Sequence, residues 1–151
     1  ISVVAAPFNC AKEAVPGAPG WPQAHLRALK LNLRRNREQA LRRFLLDCYG
    51  RSGPELEETF IRTRRFDDRE LMRGLEYLEQ IDLRPRLARI AQDVLVVQGD
   101  ADRIAAPGSF AVLMGMLRSR QSLEIAGGTH AVCEQKAELV AERVRSFVRD
   151  E

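Results

Sequence analysis

The run Val94-Leu95-Val96-Val97 is apolar at every position, with no polar residue interleaved. A strand that faces water on one side alternates apolar and polar side chains, whereas one that is apolar throughout must be covered on both faces. That requirement narrows the fold to a parallel sheet flanked by helices, because crossover helices are what cover both faces of such a sheet. The later sequence supplies the matching parts. A second strand is read at Leu123 to Ile125 in "SLEIAGG". Phe110, Leu113, Met114 and Leu117, opened by Pro107 and Ser109, mark one helix, and Ala137, Val140, Val144, Phe147 and Val148 mark another. A third strand is read at Ser2 to Phe8, a short apolar opening that ends on a proline-containing "PF". The fold class is therefore α/β.

Between these parts the pattern is helical. "NCAKEAVPGAPGWP" carries Pro16, Pro19 and Pro22 and reads as a loop. From His25 to about Cys48, Leu26, Leu29, Leu33, Ala40, Leu41, Phe44, Leu45 and Cys48 recur at helical spacing, which predicts one helix. Gly50, Ser52, Gly53 and Pro54 break it, and a second short helix is expected over Glu55 to Thr63. A third begins at Asp67, where Asp67 and Glu70 resemble a capping box, and carries Leu71, Leu75 and Leu78 on one side. Residues 20 to 81 contain no convincing strand, and neither a repeat nor a low-complexity segment interrupts the chain.

No apolar run approaches the roughly 20 residues that a membrane helix needs. The opening "ISVVAAPFNC" lacks the basic n-region of a secretory signal. The three cysteines, Cys10, Cys48 and Cys133, are odd in number and widely spaced, which speaks for reduced, buried thiols in a cytoplasmic protein rather than a disulfide framework. The net charge is only +3, but its placement is uneven. Arg27, Lys30, Arg34, Arg35, Arg37, Arg42, Arg43 and Arg51 stand against only Glu38 and Asp47 in the stretch from His25 to Arg51. Such a face is either solvated, its long stems covering apolar surface, or a dock for an acidic partner whose carboxylates and phosphates suit arginine forks. Nucleic acid is disfavoured as that partner, because aromatic interleaving is sparse and no known binding motif is present.

The chemistry-bearing residues sit where the strands end. In parallel α/β sheets, working groups collect in loops past the carboxyl ends of the strands. Asp100 and Asp102 follow the first apolar strand, and His130 follows "AGGT" after the second. Adjacent parallel strands would bring these loops together, and a carboxylate that accepts a hydrogen bond from imidazole fixes its tautomer and stabilises the imidazolium. Asp102, deeper in its loop, is the better acid for that work; Asp100 is expected to cap its own turn. The plainer alternative is that both acids cap turns and His130 is an ordinary loop residue.

"VLVVQGDADRI" followed by "LEIAGGTHAVCEQKAELVAERVRSFV" resembles the C-terminal third of the α/β-hydrolases, whose pattern is strand, G-x-x-D, helix, strand, G-x-x-H, final helix. Asp93, where that family often has a proline, is a minor departure. The resemblance implies three parallel strands with flanking helices plus an all-helical lid. Residues 1–9 would be the strand leading into the lid, 10–81 the lid, and 82–151 the core carrying the acid Asp102 and the base His130. "FNCAKEAVPGAPGWP" and "LEYLEQIDLRPRLARI" are similar to the pimeloyl-acyl-carrier-protein methyl ester esterases of biotin synthesis.

That resemblance implies a serine ester hydrolase without metal or organic cofactor, whose nucleophile belongs on a G-x-S-x-G elbow. The chain contains no such motif, so the nucleophile and oxyanion hole are expected upstream of Ile1 and the chain alone is expected to be inactive. Trp21, Leu26 and Leu29 are candidates for lining the acyl channel. Arg27, Lys30, Arg34 and Arg35 are candidates for gripping an acyl carrier protein. An N-terminal half of the same protein, or a second copy, is expected to cover the strand edge. The competing reading is a non-catalytic fragment with a basic docking surface for an acidic protein or nucleic acid.

Overall fold

A computed structural model describes residues 23–81, 83–105 and 108–149. The expected strand at Ser2 to Phe8, together with Cys10, Trp21 and Pro107, lies outside these residues. Helices α1 (Gln23–Arg35), α2 (Arg37–Tyr49), α3 (Pro54–Thr63) and α4 (Asp68–Gln80) form the helical block, and no strand occurs among its described residues. After the short α5 (Arg84–Leu87), the chain runs β1 (Val94–Gly99), α6 (Ser109–Met116), β2 (Arg120–Ile125), α7 (Val132–Gln135) and α8 (Ala137–Arg149).

The strand read as buried on both faces is just that. β1 pairs with β2 in parallel, Val97 opposite Leu123 and Gly99 opposite Ile125. Leu95 and Val97 turn to one face, where Ile125, Val132, Val140 and Phe147 close over them. Val94 and Val96 turn to the other, against Leu113 and Leu117. Leu95, Val96 and Val97 are each 1% exposed. At about 25 cal/mol per Å² of apolar surface removed from water, this two-sided core is the main force holding the sheet to its helices.

One expectation fails in the helical block. The helix expected from His25 to Cys48 is two helices, parted at Asn36. That residue leaves the helical region (φ −152°, ψ 90°), and its side chain accepts from the Gln39 backbone N–H at 3.1 Å, starting α2 afresh. A local amide bond competes well with continued helix at such a position. The block still shares one core, Leu33, Ala40, Leu41, Leu45, Cys48, Tyr49, Leu56 and Phe60, on which Leu71 and Leu75 of α4 pack. The capping box at Asp67 and Glu70 is formed reciprocally, as its spacing predicts. A second correction concerns the cysteines: Cys48 is buried, but Cys133 is exposed. In α7 the neighbouring Val132 takes the inward position, and the next residue on a helix points about 100° away.

Two residues outside this core carry it towards the loops. Ile104, from the loop after β1, and Ala131, from the loop after β2, both pack against the helical block. Both loops are therefore held from the same side.

Candidate active site

Adjacent parallel strands end side by side, and their loops are stitched at once. Asp100 N–H donates to the Ile125 carbonyl at 3.2 Å, and Ala101 N–H to that of Gly128 at 2.9 Å. Gly127 turns the second loop in the left-handed region at φ 67°, which favours a residue without Cβ. Its N–H donates to Asp100 Oδ1 at 2.7 Å. The sequence predicts that Asp100 caps its own turn; it instead braces the neighbouring loop.

Asp102 does the turn-capping itself. Its Oδ1 accepts from the N–H groups of Ile104 (2.7 Å) and Ala105 (2.9 Å), which orients the carboxylate. Its other oxygen, Oδ2, lies 3.0 Å from His130 Nδ1. The Asp102 side chain is 2% exposed and that of His130 25%, so the acid is covered and the ring reaches solvent. Burial pushes the Asp102 carboxyl upward, but the hydrogen bond from His130 and those from the Ala105 and Ile104 N–H groups outweigh it, and the net shift is below the ordinary value. An ionised carboxylate only accepts, so Nδ1–H is the donor, and in the neutral ring Nε2 then carries the lone pair that can take a proton.

The lowered pKa of Asp102 has a stability consequence. A carboxyl whose folded value lies below its unfolded one stabilises the fold fully above the unfolded value, about 4 for aspartate. That contribution is lost as pH falls through the lower, folded value. The urea midpoint of the wild-type protein should therefore drop as pH is taken from about 5 to 3. Asp102→Asn should flatten that acid limb; an unaltered limb would mean that the carboxylate is not the group responsible.

The other expected site residues are dispersed over α1. Leu29 packs against the core of the helical block, and Leu26 is half-buried. Lys30 is paired with Glu79 of α4. Arg27, Arg34 and Arg35 are exposed, the last two in the final turn of α1. Arg35 also lines a surface groove of about 690 Å³, with Asn36, Gln39, Arg42, Arg43 and Glu57. Arg42 and Arg43 belong to the basic stretch noted in the sequence but not to the four residues favoured for docking. Arg42 pairs with Glu38 and Glu57, and Arg43 with Asp47. Asp102 and His130 are not among the groove's lining residues. Among the described residues, no group of three His, Cys, Asp or Glu side chains is placed to hold a metal ion. No helix of the described residues is long and apolar enough to cross a membrane.

No family model matches the chain. It is 32% identical over 138 residues to a pimeloyl-[acyl-carrier protein] methyl ester esterase of Xanthomonas oryzae pv. oryzae, an alignment covering 85% of this chain and 54% of that protein. An enzyme of the same name from Stenotrophomonas maltophilia is 32% identical over 114 residues, 72% of this chain and 44% of that one. The chain spans about half the length of the curated relatives it matches. In fold, an esterase from Exiguobacterium antarcticum superposes with a TM-score of 0.84 at 17% identity, over 93% of this chain and 53% of that one. A bromoperoxidase from Bacillus anthracis does so with a TM-score of 0.84 at 16% identity, over 95% and 54%. In fold the chain matches a C-terminal portion of the α/β-hydrolases, and in sequence it resembles the pimeloyl-[acyl-carrier protein] methyl ester esterases.

Proposed function

We propose that the chain supplies the acid and base of a serine ester hydrolase whose nucleophile is a serine outside this sequence. One observation carries the reading: Asp102 Oδ2 and His130 Nδ1 lie 3.0 Å apart past the ends of neighbouring parallel strands. In that scheme His130 Nε2 takes the proton from the serine hydroxyl as its oxygen attacks the ester carbonyl. The same proton then passes to the departing alkoxide, leaving an acyl-serine. His130 next deprotonates water, which releases the acid and restores the serine. Asp102 stays ionised throughout and steadies the imidazolium. By itself the chain is inactive in this reading.

The substrate class follows the names of its relatives: a methyl ester on a pimeloyl chain carried by an acyl carrier protein; the family resemblance adds biotin synthesis, and the reduced thiols the cytoplasm. Helices α1 to α4 serve as the lid. The partner's acidic surface is met by Arg27, Arg34 and Arg35 on α1, with Lys30 held back by Glu79, and Arg42 and Arg43 by their own acids. Trp21, Leu26 and Leu29 are assigned to the acyl channel.

The test uses the full gene product. It should hydrolyse p-nitrophenyl esters, and a fluorophosphonate probe should label one serine outside residues 1–151. Absence of both hydrolysis and labelling would remove the enzyme reading and leave a docking module.

A further inference from the structure

The loop carrying His130 is tied from the helical block by contacts that the acid–base pair does not itself require. A helix leaves its last four carbonyls without intrahelical donors. At the end of α2, the Cys48 carbonyl accepts from the Ala131 N–H at 3.2 Å, and the Tyr49 carbonyl accepts from Gln135 Nε2 at 3.0 Å. Gln135 also accepts at Oε1 from the Thr129 hydroxyl, 2.8 Å away. Both chain neighbours of His130, Thr129 and Ala131, are thereby anchored to the end of α2. A second tie runs through side chains: the Tyr49 hydroxyl donates to Glu134 and accepts from Thr59 Oγ1 at 2.8 Å. Gly50 follows in the left-handed region at φ 71°, and a Cβ there would lie 3.1 Å from the Thr129 methyl.

We propose that Gln135, with the Tyr49–Glu134 pair, positions His130 by clamping its loop to the carboxyl end of α2, so that any shift of that helix is felt at the imidazole. None of the three side chains is assigned a contact with substrate; they act through the loop. α2 also carries Arg42 and Arg43, which line the groove. A ligand or protein that moves α2 therefore acts on His130 through this clamp. The inference rests on His130 being the base, as proposed above, and its test separates the two.

In the full gene product, Gln135→Met keeps the side-chain length and removes its hydrogen bonds. It should lower kcat roughly tenfold with KM within about twofold, as misplacement of a catalytic group does. Tyr49→Phe and Glu134→Ala should do likewise, and Glu134→Gln, which retains an acceptor oxygen for Tyr49, should restore most of what Glu134→Ala loses. In parallel, the His130 Nδ1–H proton observed by NMR should exchange with water faster in Gln135→Met and Tyr49→Phe than in wild type. Unchanged kcat and unchanged exchange in a folded Gln135→Met protein would overturn the clamp; if that variant does not fold, Tyr49→Phe decides on the same two readouts. If the wild-type protein hydrolyses no ester, the function reading fails by itself, and proton exchange still decides the clamp.

Discussion

His130→Ala in the full gene product should lower kcat for ester hydrolysis by roughly 10⁴- to 10⁶-fold, the range seen when a triad base is removed. KM should change little, since the ring's proposed work is proton transfer rather than substrate binding. The side chain is partly exposed and is held by its hydrogen bond to Asp102, so the fold should survive its loss. Circular dichroism and melting temperature provide that control. Asp102→Asn should be nearly as damaging, because an amide in place of the carboxylate no longer dictates which ring nitrogen carries the proton. Activity that persists in His130→Ala at more than about one tenth of wild type would exclude this histidine as the base.

The largest effect on stability is expected from Gly99→Ala. A Cβ at Gly99 would stand 2.1 Å from the Gly128 carbonyl oxygen and 2.2 Å from its carbon. Those are backbone atoms held by the bond from Ala101 N–H, so no side-chain rotation relieves the clash. Either β1 and the loop after β2 separate, or the loop carrying His130 is displaced. The cost should be about 3 kcal/mol or more, as for overpacking a rigid interior, and the melting temperature should fall by about 10 °C. The pairing of Asp102 with His130 should be lost with it. Gly74→Ala in α4, where nothing lies within 4 Å of an added Cβ, should instead stabilise by about 0.5–1 kcal/mol. A Gly99→Ala protein that melts within about 2 °C of wild type would refute the close approach of these two loops.

The parts of this molecule that follow from short-range pattern were legible in the sequence. The all-apolar Val94–Val97 announced a strand covered on both faces, and Asp67 with Glu70 announced a helix start. The contact between Asp102 and His130 was inferred because two loops past neighbouring parallel strands have to meet. What escaped depends on competition or on distance. Asn36 broke a helix because its amide captured the Gln39 N–H, while the apolar spacing resumed as though nothing had intervened. The roles of Asp100 and Asp102 in the turns were misjudged because the partner of Asp100, Gly127, lies on the other loop. Tyr49, Glu134 and Gln135 were invisible as a group, since a helix end and a loop some 85 positions later join only after both pack.

Acid and base hang from one compact strand–helix–strand segment with a two-sided interior of its own. The four helices before it touch that segment where Ile104, Ala131 and the end of α2 meet. If α1 to α4 form the lid proposed above, drift in α1 and α4 is free to reshape it, whereas Thr59 of α3 is bound to Tyr49 and shares the constraint on the His130 loop. Change at the last turn of α2 has no such latitude.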